Sequence, residues 1–510
     1  MQDIWKVIFS KNLFFCVLIA NIIINSASAA ANNTLNSDFV AGLILTPYIF
    51  KSKIYLPPDT YFLHYPLFYI TLKLFGYTFI TAILNMFLPV LATLGSFSIF
   101  YLYFVQKYLP GRKIIYFLPL LLFINSSWLF YNIIAQPLGR NIEFGLILLI
   151  TIYFDNLKSL SKNIVLSISV YSLLLLILIS DPYFYYLFTL PLLIILAMRI
   201  VKGMYYLKAT FLLLATMGID TLTRSFLNTT PFFLIYNYVY PHTVKEGTFA
   251  NNLFSTISGI FNLLNLQYLP KILFILTLGL FFIAIFGLFK LFKTYLKDVR
   301  VIPTLAVICF GVTILAHLFS DMASNTNSRY LISILFFTPL GLSFYLSQVS
   351  SSIFRSGVIS SLLLISLTNF VLINTTFFKT GHEQPYLQND LIIKTVSQDS
   401  LDYGFTGYWN ANINTFLSKN TIKFNPVLCV KGHIYPYNWA SSESWYSKTS
   451  HIGRTFLLTD LENKLTPDLS SCNKSDIVSQ FGNPTKIVPI FTDKGSFSLS
   501  IFDYNIAEKF

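Results

Sequence analysis

The sequence predicts a polytopic α-helical membrane protein of about 11 transmembrane helices, followed by a C-terminal extracytoplasmic domain of mixed α/β type. Three observations carry that prediction. Of 510 residues, 55% are hydrophobic and only 11% charged, too few charges to cover a soluble chain of this length. The apolar residues come in long blocks, for a mean hydropathy of +0.63. From about Phe378 the blocks stop and short alternating, β-rich stretches begin.

The blocks span residues 7–28, 79–105, 115–133, 141–154, 164–180, 183–198, 205–219, 268–289, 301–319, 330–348 and 357–377. A bilayer crossing takes about 17–25 residues, so 141–154 and 205–219 must borrow from their flanks. The segments of a transmembrane β-barrel are about ten residues long and alternate in polarity, which these do not. The expected division is a membrane part, 1–377, with outside loops 29–78 and 220–265, and a soluble part, 378–510. The first block, KNLFFCVLIANIIINSASAA, also reads as a secretory signal with a small-residue end. A retained anchor is preferred because the outside segment that follows needs a tether, and the sides of the later spans are the same either way.

Charge orients the spans. From Thr375 onward there are 12 Lys/Arg against 12 Asp/Glu, so the net charge of +13 belongs to the membrane part, which argues against a nucleic-acid partner. Lys6 and Lys11, then Lys107, Arg112 and Lys113, Lys158 and Lys162, Arg199 and Lys202, Lys290 to Arg300, and Arg355 fall in every second connection. Short basic loops stay inside. The expected topology is a multi-pass protein of the inner (plasma) membrane, N-terminus cytoplasmic and C-terminal domain extracytoplasmic.

That topology collects the unusual polar residues on the outer face: Asp38, Asp59, His64, Arg140, Asp181, Asp220, Arg224, His242, Lys245, Glu246, Asp321 and Arg329. Asp181 is the sharpest case, a carboxylate inside LISDPYFYYLFTLPLLIIL, where ionised Asp is costly unless it meets the surface or a polar partner. The Asp-Pro pair also suits a helix cap, and snorkelling accounts for an isolated Arg140 or Arg329. As a group, carboxylates and arginines on one face fit general-base chemistry beside a bound phosphate. In the C-terminal region Cys429 and Cys472 are candidates for a disulfide, whereas Cys16 and Cys309 lie in apolar spans. Tyr408, Trp409, Asn410, Trp439, Glu443, Trp445 and Tyr446 form a polar-aromatic set of the kind that binds sugar rings, and equally of the kind that fills a small core.

Three stretches then carry a resemblance. LNSDFVAG places an acid early in the first outside segment, HYPLFYITLKLFG resembles a His-Pro-Pro-Leu-Tyr-Tyr-like helix start, and SRYLISILFFTPLG resembles an Arg-Tyr-Leu entry into a late helix. Together with the architecture they resemble the GT-C superfamily of integral membrane glycosyltransferases, over residues 1 to about 375. The resemblance implies transfer of a sugar from a polyprenyl-phosphate donor, with inversion; it does not supply the acceptor, for which a cell-envelope glycan, lipid or protein is the expected class. It implies Asp38 as base, Asp181 as its orienter or a metal holder, and Arg140 and Arg329 at the lipid phosphate. His64, Asp59 and Arg224 are further substrate-binding candidates, and Trp409, Trp439 and Trp445 sugar-binding ones. Many members carry adjacent acids in the first loop, whereas Ser37-Asp38-Phe39 has one, so a divalent metal stays an open expectation. A transporter or flippase, or a non-catalytic membrane assembly protein, are the alternatives, the former disfavoured because charge gathers at one face rather than at mid-membrane.

Overall fold

The computed structural model describes residues 11–33, 35–60, 62–110, 114–136, 140–236, 249–320, 325–380, 386–460, 467–492 and 495–510. The chain divides into two compact units. The first comprises Met1–Asn33, Met86–Thr221 and Tyr238–Gly381, and the second Thr34–Asn85, Leu222–Asn237 and His382–Phe510.

Each apolar block is helical. The corresponding elements are Lys11–Asn32, Phe79–Tyr108, the pair Leu118–Ile124 and Trp128–Ala135, Asn141–Asp155, Ile164–Ser180, Leu190–Met198, Met204–Thr229, Lys271–Tyr295, Val301–Phe319, Ser333–Gln348 and Ser352–Thr380. Among the described residues six helices are long and apolar enough to cross a membrane alone, and a bent pair makes seven. The protein is a multi-pass membrane protein.

The block expected as one span over 115–133 is instead broken by 73° between its two helices. Polar residues at the break explain it. Ser127 caps the second helix by accepting from the Phe130 amide, and Asn125 bonds to Asn25 at 2.8 Å and Ser366 at 2.9 Å. Backbone groups released in an apolar setting need such partners. A wide π turn at Tyr185–Thr189 has a similar cause: Pro191 has no N–H to give to the preceding turn. Small residues let two helices touch. A Cβ on Gly341 would lie 2.1 Å from the Ala284 carbonyl oxygen, so Lys271–Tyr295 and Ser333–Gln348 cross in backbone contact.

Helix Asn141–Asp155 separates two polar clusters of the first unit. At its C-terminal end, Asp155 meets Lys107 at 2.8 Å and the Tyr103 and Tyr108 hydroxyls at 2.9 and 2.7 Å. Arg140 stands at the other end, about 22 Å away at 1.5 Å per residue.

The second unit has two sheets. Strands β1 (Ile54–Leu56), β2 (Phe233–Ile235), β3 (Tyr403–Thr406), β4 (Lys423–Val430), β5 (His433–Pro436), β6 (Ser441–Ser442), β7 (Thr455–Asp460), β8 (Lys486–Thr492) and β9 (Gly495–Phe502) pair as β2-β1-β6 and β5-β4-β3-β7-β9-β8. The larger sheet is mixed: β3 runs parallel to β4 and β7, and the remaining pairs are antiparallel. Period-two alternation sends Phe456, Leu458, Phe497, Leu499 and Ile501 to one apolar core with Ile392, Val396 and Ala411. Tyr403, Phe405, Leu457 and Phe502 go to the other face, beside the disulfide Cys429–Cys472, whose Cα atoms are 5.7 Å apart. The helix Ser37–Leu45 and the helix Tyr65–Phe75 also belong to this unit, and Gly42 has no Cβ because the Phe68 ring occupies that space.

Candidate functional site

In the first unit, Arg140 and Asp181 form an ion pair with side chains only 5% and 4% exposed. Arg140 sits immediately before helix Asn141–Asp155 in a left-handed conformation (φ 58°), which costs an L-residue about 1 kcal/mol. Asp181 ends helix Ile164–Ser180 and accepts from the Tyr183 amide at 2.8 Å, so the Asp-Pro turn both caps and presents a carboxylate. Tyrosine rings complete the enclosure. The Arg140 guanidinium carbon lies 4.7 Å from the Tyr183 ring centre and 5.0 Å from that of Tyr330. Arg329 lies 5.1 Å from the same Tyr330 ring, and the Tyr183 hydroxyl donates to the Tyr330 carbonyl at 3.0 Å. Arg329 points one Nη at the Tyr330 hydroxyl, 3.4 Å away, while its buried Nε has no hydrogen-bond acceptor among the described residues. Glu143, also buried, accepts from Ser180 at 2.7 Å. Two guanidiniums around one tyrosine ring, one neutralised by Asp181 and one with donors to spare, make a place for an anion.

The second unit builds a different constellation around Asp38. Asn36 caps helix Ser37–Leu45 by accepting from the Phe39 amide, which puts Asp38 in the first turn, where a helix dipole favours a carboxylate. The Tyr408 hydroxyl donates to Asp38 Oδ1 at 2.7 Å, and the Tyr408 amide donates to Asp468 at 2.8 Å. Burial, followed by the Asp38 charge, raises the Tyr408 phenol well above its ordinary value, so it stays protonated and donates to Asp38. Burial likewise raises Asp468 above the usual carboxylate range, opposed by the Tyr408 and Trp409 amides. The Tyr437 ring packs 5.5 Å from Tyr408.

The other sequence candidates fall as follows. His64 is fully buried at the start of helix Tyr65–Phe75, stacked on Phe68 at 5.9 Å. Arg224 donates to the Pro58 carbonyl at 3.2 Å, next to half-buried Asp59. Trp409 and Trp439 keep exposed ring surface. Trp445 is 4% exposed and packed edge-on against Tyr48, so as a sugar platform it is corrected to a core residue: no ring face is open to a ligand. Asp220 accepts from the Tyr185 hydroxyl at 2.6 Å. His242, Lys245, Glu246 and Asp321 lie outside the described residues. No three His, Cys, Asp or Glu side chains converge among the described residues, so a divalent metal finds no such donor set there. Sequence reasoning overlooked Tyr183 and Tyr330 as arginine supports, although each sits beside a flagged residue in Asp-Pro-Tyr and Arg-Tyr. It grouped Tyr408 with the aromatics and missed its bond to Asp38, for which 370 residues of separation leave no local signal.

No family model and no curated protein matches the chain. Two solved structures of ArnT from Cupriavidus metallidurans do, one in the apo state and one bound to undecaprenyl phosphate. They superpose with TM-scores of 0.56 and 0.55, cover 96% of this chain and 98% of theirs, and are 9% identical to it. The chain has the fold of ArnT. The mostly helical membrane part and the C-terminal strand-containing part expected from the sequence are thus the ones observed. At 9% identity the likeness concerns the fold alone, and the roles of Arg140, Arg329, Asp181 and Asp38 rest on their own geometry.

Proposed function

We propose that the protein is a glycosyltransferase that moves a sugar from a polyprenyl-phosphate donor to a hydroxyl or amine acceptor at the extracytoplasmic face of the inner membrane. The observation that carries this reading is the arginine pair around Tyr330. A lipid phosphate becomes a good leaving group once its charge is met, and guanidiniums held in place before the reaction stabilise the charge that develops. Arg140 and Arg329 take that role, and Asp181 holds Arg140 in position. Asp38, hydrogen-bonded by Tyr408, takes the proton of the acceptor. The acceptor atom forms its bond to the anomeric carbon as the carbon–phosphate oxygen bond breaks. The electron pair leaves with the phosphate, and the centre inverts.

The fold shared with ArnT, one of whose structures holds a polyprenyl phosphate, supports the donor class. The Cys429–Cys472 disulfide and the basic alternate loops support an outside location for the second unit. Asp59, His64 and Arg224 remain substrate-binding candidates of the outside loops.

The test is binding of a polyprenyl-phosphate sugar panel to detergent-purified protein, followed by turnover with candidate acceptors. Arg329→Ala should bind donor at least tenfold more weakly, whereas Asp38→Asn should bind normally and lose turnover. Absence of binding to every lipid-phosphate sugar, or wild-type affinity in Arg329→Ala, refutes the reading.

A further inference from the structure

An open cleft of about 860 Å³ is lined only by residues of the second unit, none of which was given a role above, and its size falls in the range of small-ligand sites, about 300–1,000 Å³. Its lining includes Ser52, Lys53, Tyr55, Glu443, Ser444 and Tyr446, brought together where β1 pairs with β6. The wall is preformed. Ser52 bonds to Ser442 at 2.6 Å, Ser442 to Ser444 at 2.9 Å, and Ser444 to Ser52 at 3.3 Å, a closed ring of hydroxyls. The Glu443 amide donates to the Lys53 carbonyl at 2.9 Å, which sets the two residues side by side. Neither the Lys53 ammonium nor the Glu443 carboxylate has a hydrogen-bond or ion-pair partner among the described residues.

The remaining side chains narrow the ligand. The Tyr446 hydroxyl is spent on the Pro426 carbonyl at 2.6 Å, and Pro231 and Pro436 add apolar wall. Tyr55 is raised by burial and then by the Glu443 charge, so its hydroxyl stays protonated. The cleft thus combines balanced charge, the Tyr55 hydroxyl as a donor, serine oxygens with lone pairs left to accept, and apolar ring and proline surface. Balanced charge disfavours a polyanion, and the lack of a deep apolar pocket disfavours a peptide side chain. A sugar ring has the matching chemistry, with vicinal hydroxyls for a carboxylate and C–H faces for aromatic and proline surface.

We propose that this cleft binds a neutral saccharide, with Glu443 accepting from two ring hydroxyls and Lys53 donating to a third oxygen. The proposal does not depend on the transferase reading, because it concerns binding alone and uses none of the residues given a role there. The test probes full-length protein in detergent micelles against immobilised hexose and N-acetylhexosamine tetramers, with heparin and polyphosphate alongside. At least one neutral tetramer should bind. Glu443→Gln and Lys53→Met should each weaken that binding tenfold or more, with unchanged melting and unchanged polyprenyl-phosphate binding, and Lys474→Met, on an exposed helix start away from the lining residues, should leave it intact. Binding of no neutral tetramer, preference for heparin or polyphosphate, or wild-type saccharide affinity in both variants overturns the proposal.

Discussion

Removing one member of the Arg140–Asp181 pair should cost more than removing both, and most of all when the arginine is the one removed. Both side chains are about 95% enclosed, so Arg140→Met takes away the guanidinium paired with a buried carboxylate, which keeps its bond from the Tyr183 amide. Removing one partner of a buried ion pair costs about 3–5 kcal/mol. Asp181→Asn leaves the guanidinium, but the Tyr183 and Tyr330 rings still face it, and desolvated cation–π contacts return about 2 kcal/mol. Its cost should therefore be the smaller of the two, roughly 1–3 kcal/mol. The double variant removes both charges from an enclosed site and should lie within about 1 kcal/mol of wild type. The coupling energy is then about 3 kcal/mol or more, at the upper end for directly touching residues. Unfolding of all four proteins in mixed micelles by detergent titration measures the cycle, and donor binding by the same four separates stability from function. Single-variant costs that simply add in the double variant would refute the coupling. A double variant that is stable and still binds a polyprenyl-phosphate sugar like wild type would remove Arg140 from the proposed phosphate site.

Two further outcomes follow from the second unit. The raised Asp468 carboxyl means that the folded state holds its proton more tightly than the unfolded chain, whose value is about 3.8. Stability from this group is therefore greatest below that value and falls as pH rises through the folded value; Asp468→Asn should flatten the slope of unfolding free energy in that window, and an unchanged slope contradicts the assignment. The Cys429–Cys472 bridge closes a loop with a sequence separation of 43, for which chain entropy gives about 4 kcal/mol. Reductant should lower the unfolding temperature of wild type and leave a Cys429→Ser/Cys472→Ser variant unmoved, and equal response of the two excludes the bridge.

The sequence by itself determined the elements that obey a local rule. Every apolar block became helix, because lipid-compatible backbone must satisfy its own hydrogen bonds within one segment. The stretches IKFNPVLCV, FLLTD, KIVPIF and FSLSIFDY lie on β4, β7, β8 and β9, since alternation of apolar residues follows the pleat. Arg140, Asp181, Asp38 and Arg329 stood out because charge beside apolar sequence is costly. Only the tertiary structure decided which of them share a partner. Arg140 and Arg329 meet one tyrosine ring across 189 positions of chain, and Tyr408 reaches Asp38 across 370. It also decided that the tryptophans differ, Trp445 in the core and Trp409 and Trp439 at the surface, although their sequence contexts look alike. The break at Asn125–Ser127 belongs with these, since a polar residue in an apolar block becomes a cap or a kink only once Asn25 and Ser366 arrive to receive it. Periodicity and hydropathy are properties of neighbours along the chain, whereas pairing of buried charge is settled by whichever distant segment packs closest.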